Sequence, residues 1–189
     1  MFEVEQKFRV EGFAEVEARL RSLGAEFCEP VEQIDRYFNH PVRDFRQSDE
    51  ALRIRTVGEY NCITYKGPKI DKTTKTRREI ELPLGPGSSN AEALAEMLTA
   101  LSFRFAGEVR KTRRAASYAA DRFAVEIAMD DVDQVGTFVE LEIVAGEADL
   151  DAARQCLADL AARLGLEDVV RRSYLSMVLA GSGSFQPPC

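Results

Sequence analysis

Glu3-Val4-Glu5-Gln6-Lys7, continued by Phe8-Arg9-Val10, alternates charged and apolar residues almost from the start of the chain. In a β-strand, side chains two apart share a face. Glu3, Glu5, Lys7 and Arg9 therefore fall on one side, and Val4, Phe8 and Val10 on the other. One such strand describes any half-buried sheet with its charges in water. The recurrence decides the reading. Leu52 and Ile54 alternate with Arg53 and Arg55, and Ile63 and Tyr65 with Thr64 and Lys66. Arg77, Glu79 and Glu81 share a face opposite Ile80 and Leu82, and Lys111 shares one with Arg113. Val125, Ile127 and Met129 oppose Glu126 and Asp130, while Val139, Leu141 and Ile143 oppose Glu140 and Glu142.

The charged positions hold acids and bases in about equal number, so each sign has opposite neighbours if the face is buried. Apolar stripes elsewhere predict helices that need a partner. Covering the apolar side of the sheet with them would leave the charged side to curl into a lumen. Such a lumen suits a polyphosphate with its metal. Arginine and lysine satisfy phosphate oxygens, and carboxylates hold Mg²⁺ or Mn²⁺.

The helical stripes are Phe13, Val16, Leu20 and Leu23, closed by Gly24; a segment opened by Ser89-Asn90-Ala91-Glu92, which has capping-box form; Leu150 to Leu164, ending at Gly165; and a short helix over Ser173 to Leu179. Strands are expected at 32–38, 51–57, 60–66, 76–82, 105–114, 116–119, 122–130 and 137–144, with Gly85-Pro86-Gly87 breaking the chain. No linker interrupts residues 1–180, so one α+β domain is expected there, with a mobile tail over 181–189.

Composition narrows the function. The chain has 189 residues, a net charge of -7 and a pI of about 5.0, which speaks against a nucleic-acid partner. No window approaches a membrane span, and charge beginning at Glu3 leaves no signal-peptide pattern, so a cytoplasmic protein with reduced thiols is expected. Cys28, Cys62, Cys156 and Cys189 lack metal-ligand spacing, and the single histidine, His40, gives little support to a zinc site or a Ser-His-Asp triad.

Residues 3–7 resemble the ExExK signature of the CYTH superfamily, the triphosphate tunnel metalloenzymes. Further marks follow in the family's order: Arg53-Ile54-Arg55, Lys66-Gly67-Pro68, Arg77-x-Glu79-x-Glu81, Lys111-x-Arg113, Asp130 and Glu140-x-Glu142, with Gly136-Thr137-Phe138-Val139-Glu140 similar to the G-x-F-x-E stretch. Arg172-Ser173-Tyr174 resembles a motif of the class IV adenylyl cyclase branch. The resemblance implies a closed antiparallel eight-stranded β-barrel with helices packed outside, and a homodimer. It implies Glu3, Glu5 and Glu140 as metal ligands for Mg²⁺ or Mn²⁺, assisted by Glu142. Lys7, Arg53, Arg55, Lys66, Lys111 and Arg113 would hold the phosphates, Arg77 would join them or pair with Glu79, and Asp130 would stand near the reacting centre. The family's Asp-x-Tyr-Phe-Asp stretch is here Asp35-Arg36-Tyr37-Phe38-Asn39, so the charge of the last acid is missing. Conversion of ATP to 3′,5′-cyclic AMP is the leading expectation. Hydrolysis of tripolyphosphate, thiamine triphosphate or a nucleotide is the alternative, and a polyphosphate-binding module without turnover a third.

Overall fold

The computed structural model describes residues 2–68 and 76–181. In chain order these form β1 (Phe2–Arg9), α1 (Ala14–Ser22), β2 (Glu26–Phe27), β3 (Val31–Asn39), β4 (Ala51–Val57), β5 (Tyr60–Lys66), β6 (Glu79–Pro86), α2 (Ser88–Ala100), β7 (Arg104–Ala120), β8 (Phe123–Val132), β9 (Gly136–Ala145), α3 (Leu150–Leu164) and α4 (Tyr174–Gly181). The strands build one antiparallel sheet in the order β1-β9-β8-β7-β3-β4-β5-β6, with the two-residue β2 on β7.

The sheet curls so that its first and last strands approach. β1 meets the chain just ahead of β6 at one isolated bridge, where the backbones of Glu3 and Arg77 exchange two hydrogen bonds of 3.3 Å. The expected closed barrel is thus a curled sheet among the described residues, because no ladder joins β1 to β6. The tail 182–189 lies outside the described residues.

Alternation sends the apolar half of each strand to the convex side. Val4, Phe8, Ile127, Met129, Val139, Leu141 and Ile143 pack there against Val16 and Leu20 of α1 and Leu157, Leu160 and Leu164 of α3. The α3 stripe recurs every three or four residues, and Gly165 ends the helix at φ +67°. On the same side α2 sets Ala91 and Leu98 against Phe38 and Ile54.

The fourth helix corrects the expectation that all helices pack outside. α4 lays Tyr174 and Met177 on Val109, Val132 and Phe138. These share strand faces with Lys111, Asp130 and Glu140, so α4 sits on the concave side. The reason is local: at this end the concave face carries valine and phenylalanine instead of charge, and bare apolar area there needs cover. Gly107 makes room for it, since a Cβ at this position would stand 2.8 Å from Cδ1 of Leu175, at a φ of +146°. Replacing Gly107 by alanine is expected to cost about 1–3 kcal/mol through strain and the displaced helix. A thermal midpoint equal to wild type would contradict this seating.

Three boundaries also differ. β7 runs unbroken through 115, where two strands were expected. β6 begins at Glu79 and continues through Gly85 and Pro86, where the register against β5 shifts between Asn61 and Cys62. The capping box at Ser89 does not form: Gly87 is the N-cap, without a side-chain cap, and Asn90 Nδ2 instead donates to the Leu84 carbonyl at 2.6 Å.

Candidate active site

The concave face encloses a cavity of about 1190 Å³. Glu3, Glu5, Lys7, Arg53, Arg55, Lys66, Arg77, Lys111, Arg113, Glu140 and Glu142 all line it, joined by Glu79, Glu81 and Glu126. The structure thus gathers residues scattered over 140 positions, because alternation aims each strand's charged half inward. Arg9 is the exception on β1. It is exposed at the end of the strand, its guanidinium 4.7 Å from the Phe138 ring and donating to the Val135 carbonyl. Asp130 does not line the cavity either; it is on the concave face but 0% exposed, covered by Lys111, Arg113 and Tyr174.

Two buried aspartates organise the cations. Asp35 on β3 stands opposite Arg55 on β4 in register. It accepts from Arg55 Nε and Nη2 at 2.7 and 2.8 Å and from Arg53 Nη1 at 3.4 Å. On the other wall Asp130 on β8 stands opposite Arg113 on β7. It accepts from Arg113 Nε and Nη2 at 2.6 and 2.5 Å, from Lys111 Nζ at 2.9 Å and from the Tyr174 hydroxyl at 2.9 Å. Each is a carboxylate held by an arginine fork, which fixes the guanidinium plane. Burial pushes the Asp35 carboxyl up, but Arg53 and Arg55 outweigh it and hold it well below the usual range. Asp35 is a site residue that sequence reasoning missed. Its signal was an acid in mid-strand, yet only the β3–β4 register reveals its partner.

The remaining cations are also placed. Lys7, 1% exposed, donates to the Arg172 carbonyl at 2.6 Å and lies 3.9 Å from the Tyr174 ring centre and 3.9 Å from Glu140. Lys66 bridges Glu3 at 2.9 Å and Glu79 at 2.6 Å. Arg110 and Arg114 point outward, as alternation requires, pairing with Glu108 and Glu17.

The acids lie on two adjacent strands. Glu5 is paired with Glu142 across the β1–β9 ladder, and Lys7 with Glu140. Burial and then the repulsion of Glu3, Glu5 and Glu140 push the Glu142 carboxyl up to about 8. Hard oxygen donors that raise one another's proton affinity fit a divalent cation in their midst. Among the described residues no three acids already stand in ligating geometry.

Lys111 gives the site a pH dependence. Burial lowers its pKa, Arg113 adds to this and Asp130 opposes it, leaving it at about 8 against an ordinary 10.5. Between these values the unfolded chain holds a proton that the folded chain has lost, so this residue's contribution to stability rises with pH. The same window removes the charge that a phosphate needs. Affinity for tripolyphosphate is expected to fall roughly ten-fold between pH 7 and 9 in the wild type, by the loss of one charge-assisted contact. Titration calorimetry on Lys111→Met should show no such fall; an equal fall in both would discard the assignment.

Comparison with known proteins agrees with this fold. The CYTH domain model matches residues 1–174. A protein of Methanocaldococcus jannaschii named "Putative adenylate cyclase MJ0240" is 35% identical over 182 residues, 94% of this chain and 98% of the relative. The solved PH1819 protein of Pyrococcus horikoshii is 36% identical with a TM-score of 0.82, over 94% of this chain and 98% of its own. A Hippeastrum structure, titled as a "putative adenylyl cyclase" that reveals a dominant triphosphatase activity, shares the fold at 18% identity and a TM-score of 0.67, over 95% and 96% of the two chains. With the family model spanning almost the whole chain, this protein belongs to the CYTH domain family.

Proposed function

We propose that this chain is a metal-dependent enzyme that converts ATP to 3′,5′-cyclic AMP and pyrophosphate. The carrying observation is the cavity that gathers two aspartate-held cation pairs, Arg53 with Arg55 and Lys111 with Arg113, together with the carboxylates of β1 and β9. The similarity to a relative named for adenylate cyclase supports the reaction.

Arg53, Arg55, Lys111 and Arg113 hold phosphate oxygens, with Lys7, Lys66 and Arg77 adding positive charge. Because Asp35 and Asp130 already fix the cations, little reorganisation is needed when charge grows on the leaving pyrophosphate. Glu3, Glu5 and Glu140, with Glu142 beside them, would hold Mg²⁺ or Mn²⁺. When bound, such an ion supplies the positive charge that makes a ribose 3′-hydroxyl acidic enough to act. The hydroxyl attacks the α-phosphorus in line, its oxygen forming the new bond as the bond to the pyrophosphate oxygen breaks and the hydroxyl proton passes to water. No protein nucleophile is required. Asp130, which touches no cavity space, acts through Lys111 and Arg113.

Product analysis tests the reading. The protein is incubated with ATP, and separately with tripolyphosphate, with Mg²⁺ or Mn²⁺, and the products resolved by ³¹P NMR and chromatography. Cyclic AMP with pyrophosphate is expected. Orthophosphate with ADP or pyrophosphate and no cyclic nucleotide would make the chain a triphosphatase instead. Binding without any product would make it a polyphosphate-binding module.

A further inference from the structure

The cations that line the cavity fall into two groups. Those of the wall are already matched: Arg53 and Arg55 by Asp35, Lys66 by Glu3 and Glu79, and Lys111 and Arg113 by Asp130. Arg46, Arg104 and Arg171 also line the cavity, but they are exposed, and among the described residues no carboxylate holds them. The fold brings these three to one end. Arg104 opens β7 opposite Asn39, the last residue of β3, and Arg46 lies on the loop that follows Asn39. Arg171 stands just ahead of α4, whose Leu175 lies against Gly107, three residues along β7 from Arg104.

Asn39 sets the loop that carries Arg46. Its Oδ1 accepts from the backbone N–H of His40 at 3.1 Å and of Phe45 at 2.8 Å, and its Nδ2 donates to Asp44 at 3.1 Å. Asp44 in turn accepts from the Arg46 backbone N–H at 3.1 Å. An aspartate at 39 could not donate and would face Asp44 with like charge, so this loop needs the asparagine.

The charge at this end is positive. Arg172, which donates to the Ser176 carbonyl, is a fourth arginine there, and Glu50 is offset by Arg43 at 3.1 Å. With Asp44 and Asp49 counted in full, four arginines still face two aspartates. A smaller recess of about 320 Å³ has the opposite balance. It shares Arg113, Glu126, Glu140 and Glu142 with the cavity, three acids to one base, and reaches the surface at Cys28. A polyanion approaching a chain of net charge -7 is repelled on average and is drawn in only by a local positive field. Wall cations beside their carboxylates project little of that field, and the unmatched arginines project most of it.

Resting on the triphosphate reading above, we propose that Arg46, Arg104 and Arg171 form an encounter site that captures the phosphate tail from solvent and passes it to the wall cations. The substrate then enters at this end and not through the acidic recess. The three arginines act on the rate of association, whereas the cations fixed by Asp35 and Asp130 hold the bound state.

Exchange broadening in ³¹P NMR of tripolyphosphate, with the full chain and no divalent metal, reads association and dissociation separately. Two triple variants are compared with wild type. One carries Arg46→Gln, Arg104→Gln and Arg171→Gln. The other carries Arg21→Gln, Arg110→Gln and Arg122→Gln, which removes the same charge from exposed arginines that do not line the cavity. All six positions are exposed, and circular dichroism checks that both variants keep the fold. At about 10 mM salt the entrance variant is expected to associate roughly ten-fold more slowly, with dissociation within about two-fold of wild type. At about 1 M salt, where fields are screened within roughly 3 Å, it should associate as wild type does. The outer variant should stay within about two-fold of wild type throughout. If the two variants slow association alike, if neither does, or if the entrance variant changes dissociation instead, the encounter site is wrong and the wall cations keep their role. Failure of wild type to bind tripolyphosphate at all would remove the triphosphate reading itself, and the encounter site with it.

Discussion

Glu5→Gln and Glu140→Gln are each expected to lower metal-dependent turnover by at least about 10²-fold while the protein stays folded. Glutamine keeps the shape and one oxygen of the carboxylate but removes the charge that a divalent ion needs. Folding should tolerate the loss. Burial first, and then the repulsion of Glu3, Glu5 and Glu140, raise the Glu142 carboxyl, so removing one negative charge relieves part of that repulsion. Glu140 also accepts from Arg113 at 2.6 Å, but that guanidinium keeps both bonds to Asp130. Thermal unfolding gives a second readout. Mn²⁺ should raise the wild-type midpoint by binding the native state, and raise that of the variants much less. Turnover at the wild-type rate in both variants would overturn the metal assignment.

What was legible in the sequence follows from which interactions are local. The charged face of each strand could be read from alternation, because a period of two is a property of the backbone. That reading assembled the cavity walls without knowledge of strand order. α3 was legible to its last residue, since an apolar stripe and a left-handed glycine are both local signals. What stayed hidden depends on register. Asp35 looks like any acid in a strand until β3 is laid against β4, and Asp130 reads as a lumen carboxylate until β7 brings Lys111 and Arg113 onto it. The place of α4 was hidden for the same reason: Val109, Val132 and Phe138 lie on three different strands, and only their pairing in the sheet joins them into an apolar patch. The capping box at Ser89 failed because Gly85 and Gly87, both at φ +81°, turn the chain into α2 and leave Asn90 to bond the Leu84 carbonyl.

The two aspartate clamps lead to the second large effect. Asp130→Ala is expected to destabilise the protein by about 3–5 kcal/mol, because it strands buried cations without their counter-charge. Arg113 would keep Glu140, but Lys111 and the Tyr174 hydroxyl would both lose the carboxylate oxygen they share. For a chain of this size that corresponds to a fall of roughly 10 °C in the thermal midpoint. Tyr174→Phe, which removes a single hydrogen bond to a charged group, should cost about 1.5–3 kcal/mol. A paired replacement separates the two roles of the clamp. Asp130→Leu with Lys111→Met removes opposite charges together and should recover much of the stability lost in Asp130→Ala. Turnover should not recover with it, because the phosphates have lost Lys111 and Arg113 has lost the fork that fixes its plane. If the paired variant regained both stability and activity, Asp130 would be a packing residue. If Asp130→Ala kept its midpoint and lost turnover alone, the carboxylate would act on the substrate directly and not through its cations.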